Sequence, residues 1–134
     1  MLPHKKPHIH VAAGLIKKDG RLLITRRPEG SHLAGKWEFP GGKQETHESL
    51  ELCVERELKE ELDIDVRAEK LLFTVQHEYE TKLVTLHLFE CTFLKGSPKA
   101  IEGQKIRWVA PGHLRKDTFP PPDRKIIESL FELL

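Results

Sequence analysis

The chain has 134 residues, 32% of them charged, with a formal net charge of +1. That length suits one domain with a real core, and the near balance of charge excludes the basic excess of a protein that grips a nucleic-acid polymer. No apolar run approaches the roughly 18 residues of a membrane span, and the opening MLPHKKPHIH lacks the apolar centre of a secretory signal. Cys53 and Cys91 have no metal-ligand spacing and read as buried or half-buried thiols of a reducing compartment, so the expected location is cytoplasmic.

In chain order, residues 1–7 read as a frayed start and His8 to Lys17 as a strand. Alternation puts His8 and His10 on one face, as ordinary polar strand residues rather than a metal cluster with His4. Lys18-Asp19-Gly20 signals a hairpin, Leu22 to Arg26 the returning strand, and Arg27 to Lys36 a loop with Pro28, Gly30 and Gly35. Trp37 to Gly42 is a short extended piece that enters a helix at about Thr46 to Leu62, capped by Thr46 or Ser49. Asp65 to Tyr79 reads as a long strand, Glu80-Thr81-Lys82 as a turn, and Leu83 to Leu94 as a central strand whose hairpin is closed by Lys95-Gly96-Ser97-Pro98. A loop over Ile101 to Gln104, a strand over Lys105 to Val109 and a helical turn near Leu114 follow. Pro120 to Pro122 is too proline-rich for a helix interior. The spacing of Ile126, Ile127, Leu130, Phe131 and Leu134 therefore predicts a helix from Asp123 onward. The sum is a single α/β domain over 1–134, a three-layer α/β/α sandwich on a mixed sheet.

The stretch Gly42 to Ile64 carries the chemistry. Leu50, Val54, Leu58 and Leu62 recur every fourth residue and form one apolar stripe. At about 100° per residue Glu57 and Glu61 fall at the edge of that stripe, with Glu61 between Leu50 and Val54 around the axis. A carboxylate there is costly without a positive partner. Glu57, Glu60 and Glu61, at i, i+3 and i+4, repel one another. A divalent cation removes both costs, and clustered hard oxygen ligands suit Mg²⁺ or Mn²⁺. The plain alternative is an amphipathic helix with a solvated acidic face. Against it stand Gly41-Gly42, which let the backbone approach a ligand closely, and Arg56, the one Arg among the acids, placed to orient a carboxylate.

Gly42, five residues, Glu48, seven residues and then Arg56-Glu57-Leu58-Lys59-Glu60-Glu61 resemble the Nudix box of the nucleoside-diphosphate-X hydrolases. The box usually ends Gly-hydrophobic; here Asp63-Ile64 stands there, and Asp tolerates the left-handed helix cap at modest cost. Leu23 to Arg27, His32-Leu33-Ala34, Trp37 to Lys43, Glu102-Gly103-Gln104 and Phe119-Pro120-Pro121 extend the resemblance to the MutT branch, and nearly as well to the related CTP and modified-pyrimidine pyrophosphohydrolases.

The resemblance implies a Nudix fold and metal-dependent hydrolysis of a nucleoside triphosphate to nucleoside monophosphate and pyrophosphate. It implies a cation held by the Gly41 carbonyl, Glu57, Glu61 and Glu102, with Glu60 beside a second ion and Glu48 in support. Glu57 is then the general base, Glu102 its rival, and Arg56 the group that holds Glu57. Arg27 and His32 correspond to substrate-contacting positions. Phe39 and Tyr79 can stack on a base, with core packing as the alternative. Asp123 stands where MutT-like enzymes have Asn and pyrimidine-preferring relatives have Asp, and Lys82 where that branch has Arg; helix capping is the other reading of Asp123. The expected partner is a small nucleotide, not a polymer or a membrane, acting on a monomer. The leading expectation is sanitation of the nucleotide pool by removal of 8-oxo-dGTP. CTP-type substrates come second, and a catalytically silent nucleotide-binding module or a nucleoside diphosphate-sugar hydrolase is weaker.

Overall fold

The first hairpin is set by two residues with positive φ, 51° at Asp19 and 75° at Gly20, the handedness that matches the twist of the strands they join. They connect β1 (His8–Lys18) to β2 (Arg21–Arg26), with Lys18 opposite Arg21. The computed structural model describes residues 6–31, 34–115 and 118–133; His4, His32, Leu33 and Leu134 lie outside it, as does the side chain of Phe131.

Five further strands complete a mixed sheet: β3 (Trp37–Glu38), β4 (Gly41–Lys43), β5 (Asp65–Glu78), β6 (Leu83–Lys95) and β7 (Lys105–Val109). The order is β3-β2-β1-β6-β5, with β4 also on β1 and β7 on β2. β1 and β6 run parallel, and the other pairs are antiparallel. Side-chain alternation sends neighbours to opposite faces. Ala12 and Leu23 join Val54, Leu58 and Leu62 of α1 (Leu50–Leu62), whereas Ala13, Leu22 and Ile24 join Ile126, Ile127 and Leu130 of α2 (Pro121–Leu133). The sheet therefore lies between two helices, each held by an apolar stripe. His8 and His10 face the same way on β1, with His8 Nε2 2.6 Å from Thr85 Oγ1 and His10 Nδ1 3.0 Å from His87 Nε2, as polar strand residues paired across to β6.

Three boundaries differ from the sequence expectation. The first helix starts at Leu50 with Ser49, not Thr46, as its cap, because residues 44–48 are spent on a turn: the Gln44 amide bonds to β1 at His10, and the Glu48 side chain accepts from the Glu45 amide. The second helix starts inside the proline run at Pro121. First-turn amides have no helical acceptor, so prolines there lose nothing. Lys95 to Pro98 does not close a hairpin, since β7 pairs with β2 rather than β6. The chain after β6 instead runs along the end of α1, where the Lys99 amide donates to Leu62 O at 2.8 Å. Asp63 takes φ 54° at the C-cap, the left-handed position where the Nudix box usually has Gly.

The Ser49 hydroxyl accepts from the Leu52 amide at 3.1 Å. Ser49→Ala is expected to cost about 1 kcal/mol and to lower the melting temperature by roughly 2–5 °C; an unchanged melt contradicts the cap.

Candidate functional site

A cavity of about 450 Å³ is lined by Glu57 and Glu61 of α1, by strand residues and by the start of α2. Its lining holds an acidic group, Glu57, Glu61 and Glu102 with Gly41 and Gly42, and an aromatic group, Phe39, Tyr79 and Lys82 with Pro120, Pro122 and Asp123, the members of each linked by mutual contacts and charge interactions. Ile9, Val11, Val84 and Leu86 of β1 and β6 and the charged residues Arg27, Glu38 and Lys43 also line it.

The acidic group depends on close approach of β4 to its neighbours. Gly41 sits opposite Ala13 in the ladder, and a Cβ there would collide with the Ala12 carbonyl. A Cβ on Gly42 would occupy the place of the Glu57 carboxyl. Only glycine at both positions lets the helix carboxylates lie over the strand.

Arg56 organises the outer side of this group. Its Nε and Nη2 bond the two Glu48 oxygens, its Nη1 donates to Glu57 Oε1 at 2.9 Å and to Glu60 Oε2 at 3.1 Å, and its Nη2 donates to Lys43 O at 3.2 Å. The bidentate guanidinium holds the Glu48 carboxyl down at about 2. Glu48 therefore acts behind Arg56 and does not line the cavity. Glu60 does not line it either: it is 58% exposed on the outer face of the helix, turned to Arg56.

Glu61 lies well above the carboxylate range. Burial is the largest cause, followed by a hydrogen bond and charge from Glu57 and by the charges of Glu102 and Glu38. Among the described residues no three His, Cys, Asp or Glu side chains converge closely enough to form a ready cation site. The donor set nevertheless fits a hard divalent ion: Glu57 and Glu61 are neighbours on the helix whose carboxyl groups interact, Gly41 lines the same cavity, and Glu102 is exposed on its loop.

The aromatic group suits a flat ring. Phe39 is 3% exposed and packs against Phe119 with centroids 5.6 Å apart. Lys82 Nζ lies 5.6 Å from the Tyr79 ring centroid, and burial with the Lys43 and Arg27 charges lowers the Lys82 pKa. Asp123, 6% exposed, is pushed up to about 8 by burial and the Glu38 charge, against hydrogen bonds from the amides of Phe39 and Asp123 itself. Its carboxyl thus serves the first turn of α2 and faces the cavity as well. His32 lies outside the described residues.

Glu38 and Lys43 escaped the sequence reading. Glu38 Oε2 pairs with Arg27 Nη1 at 2.9 Å, and burial raises its pKa despite that partner. The signal was an unpaired-looking acid between two aromatic residues, but cross-strand pairing of β2 with β3 is what brings it beside Arg27.

A family model described as the NUDIX domain matches residues 11–129. The chain is 37% identical to the "8-oxo-dGTP diphosphatase" of Haemophilus influenzae, over 93% of each chain. It is 34% identical to the "CTP pyrophosphohydrolase" of Escherichia coli, again over 93% of each. The crystal structure of a MutT protein from Methanosarcina mazei Go1 superposes with a TM-score of 0.85, at 29% identity over 98% of each chain.

Because Glu61 titrates higher in the folded chain than in the unfolded one, the metal-free fold binds the extra proton. Its stability is complete below the ordinary carboxylate pKa near 4.5 and declines as pH rises above it. In chelator, Glu61→Gln is expected to melt above the parent, by at least about 3 °C at pH 8, with a smaller gap at pH 5. A gap that stays constant or reverses contradicts this account.

Proposed function

The chain belongs to the NUDIX family as a hydrolase of phosphorus anhydrides, and on that premise we propose that it hydrolyses a nucleoside triphosphate to the monophosphate and pyrophosphate, with 8-oxo-dGTP as the leading substrate. The observation that carries the reading is one cavity that brings together hard carboxylate donors, the cations Arg27, Lys43 and Lys82, and an aromatic and carboxyl group around Phe39, Tyr79 and Asp123. Those are the groups that a metal-bound triphosphate and a base call for.

Nudix hydrolases use a divalent metal; Mg²⁺, or Mn²⁺ in its place, is the proposed ion. Glu57, Glu61, Glu102 and the Gly41 carbonyl would hold it. When bound, it supplies positive charge against the phosphates and makes water easier to deprotonate. Glu57 is the proposed general base, fixed by Arg56, with Glu102 as the rival. Arg27 and Lys43 offset the remaining phosphate charge, and Lys82 lies with Tyr79 beside the base. Phe39 and Tyr79 flank the base. The free buried thiols Cys53 and Cys91 support a cytoplasmic location.

Asp123 is the proposed reader of the base. An ionised carboxyl only accepts, which suits the exocyclic amine of cytosine and repels guanine O6. With its pKa near 8, Asp123 keeps its proton at neutral pH and both donates and accepts. A neutral acid can donate to O6 while accepting from a guanine N–H, and this supports placing the oxidised purine ahead of CTP.

Two measurements test the proposal. Glu57→Gln is expected to cut turnover by roughly 10²–10⁴ with the fold intact; near-normal turnover, or full activity in excess chelator, contradicts the mechanism. In a panel of 8-oxo-dGTP, dGTP, CTP and dCTP, the parent's kcat/KM preference for 8-oxo-dGTP over CTP is expected to fall between pH 7 and pH 9, as Asp123 ionises. Asp123→Asn is expected to change the ranking by at least about tenfold and to abolish that pH trend. An unchanged ranking assigns Asp123 to the helix turn alone.

A further inference from the structure

Glu61 and Glu102 reach the cavity from opposite directions, one on the last turn of α1 and the other on the loop between β6 and β7. Both residues line the same cavity although they come from segments about forty positions apart in the chain. The start of the loop is held to the helix by backbone bonds from the Lys99 amide to Leu62 O and from the Ile101 amide to Glu61 O.

Gln104 touches both. The side chain is 9% exposed, and the turn at Gly103, φ 77°, directs the chain back toward α1. Gln104 Nε2 donates to the Glu61 carbonyl at 3.1 Å, and Gln104 Oε1 accepts from the Glu102 amide at 3.0 Å. The Glu61 carbonyl is one of the last four of the helix, which have no acceptor role inside it, and it also receives the Ile101 amide at 3.3 Å. One side-chain amide thus bonds the backbones of both acidic residues. The two contacts have opposite polarity: the helix offers only an acceptor and the loop only a donor. A carboxylate at position 104 cannot donate to the first, and an ammonium cannot accept from the second.

We propose that Gln104 is a positioning residue, which pins the Glu102 loop to the end of α1 so that Glu61 and Glu102 can close on one cation. This rests on the reading of Glu61 and Glu102 as cation ligands. Without the pin, the backbone bonds from Lys99 and Ile101 still tie the start of the loop to α1, but nothing among the described residues fixes the Glu102 backbone against the helix, and the ion loses a preset ligand from the second segment.

The test is Mn²⁺ binding to the metal-free protein, followed by electron paramagnetic resonance with no nucleotide present. The parent, Gln104→Met, Glu102→Gln and the double variant are compared, with melts in chelator to show that each is folded. Gln104→Met is expected to weaken Mn²⁺ binding about tenfold, and to add less than about twofold once Glu102→Gln is present, since the two act through one ligand. Gln104→Asn keeps a polar amide in the buried site but falls one methylene short. It is expected to weaken binding in the same direction, and it replaces the Met variant if that fails to fold. Weak binding in Glu102→Gln beside parent-like binding in the Gln104 variants, or losses that simply add, overturns the role of Gln104 alone. Parent-like binding in Glu102→Gln removes Glu102 from the ion and overturns the ligand reading, and this proposal with it.

Discussion

Carboxylates on the inward edge of a helix set the terms for this structure. A chain that buries Glu61 beside Glu57 and within the field of Glu102 and Glu38 holds like charges where water cannot screen them. The neighbouring features read as responses to that constraint. Gly41 and Gly42 bring backbone rather than side chain against the acids. Arg56 takes up Glu48, Glu57 and Glu60 on the solvent side, so that its charge lies behind the cavity and leaves the inner face acidic. The inner face is the part left to be neutralised by something else.

The same constraint explains why the helix must be anchored at both ends. Its start is tied by the Ser49 cap, and its end by Asp63 in the left-handed cap and by the loop that follows β6. The apolar stripe of Val54, Leu58 and Leu62 supplies the burial that offsets the cost of the acids, at about 1.5–3 kcal/mol for each large side chain. Stability from the core and strain at the acidic edge thus sit on adjacent faces of one helix.

The aromatic part of the cavity follows a different logic. There the polar groups are few: a buried Asp123 with its carboxyl raised to about 8 and the half-buried pair of Glu38 and Arg27, beside the rings of Phe39 and Tyr79. Its polarity can change with one proton, whereas the acidic group calls for an ion. The relatives named for 8-oxo-dGTP and for CTP share nearly the full length of this chain at similar identity. Overall likeness therefore does not separate the two bases, which is why the proposed reader is a single side chain, Asp123.

The sequence by itself determined what is local or periodic. Strand alternation separated the two faces of β1, a four-residue apolar repeat located α1, and the spacing from Gly42 to Glu61 identified the family. These depend on backbone geometry over a few residues, and no long-range contact overrides them. What only the tertiary structure decided depends on segments far apart in the chain. Pairing of β7 with β2 sent the loop after β6 onto the end of α1 rather than into a hairpin. Helix phase put Glu57 and Glu61 inward, but the position of Arg56 turned Glu60 outward and away from the cavity. Glu38 and Lys43 became wall residues only when β3 and β4 took their places beside β2 and β1. The burial that moves Asp123 off the ordinary carboxylate range is likewise made by residues from β3 and α2 together, and charge in a low-dielectric site is a property of that assembly rather than of any one residue.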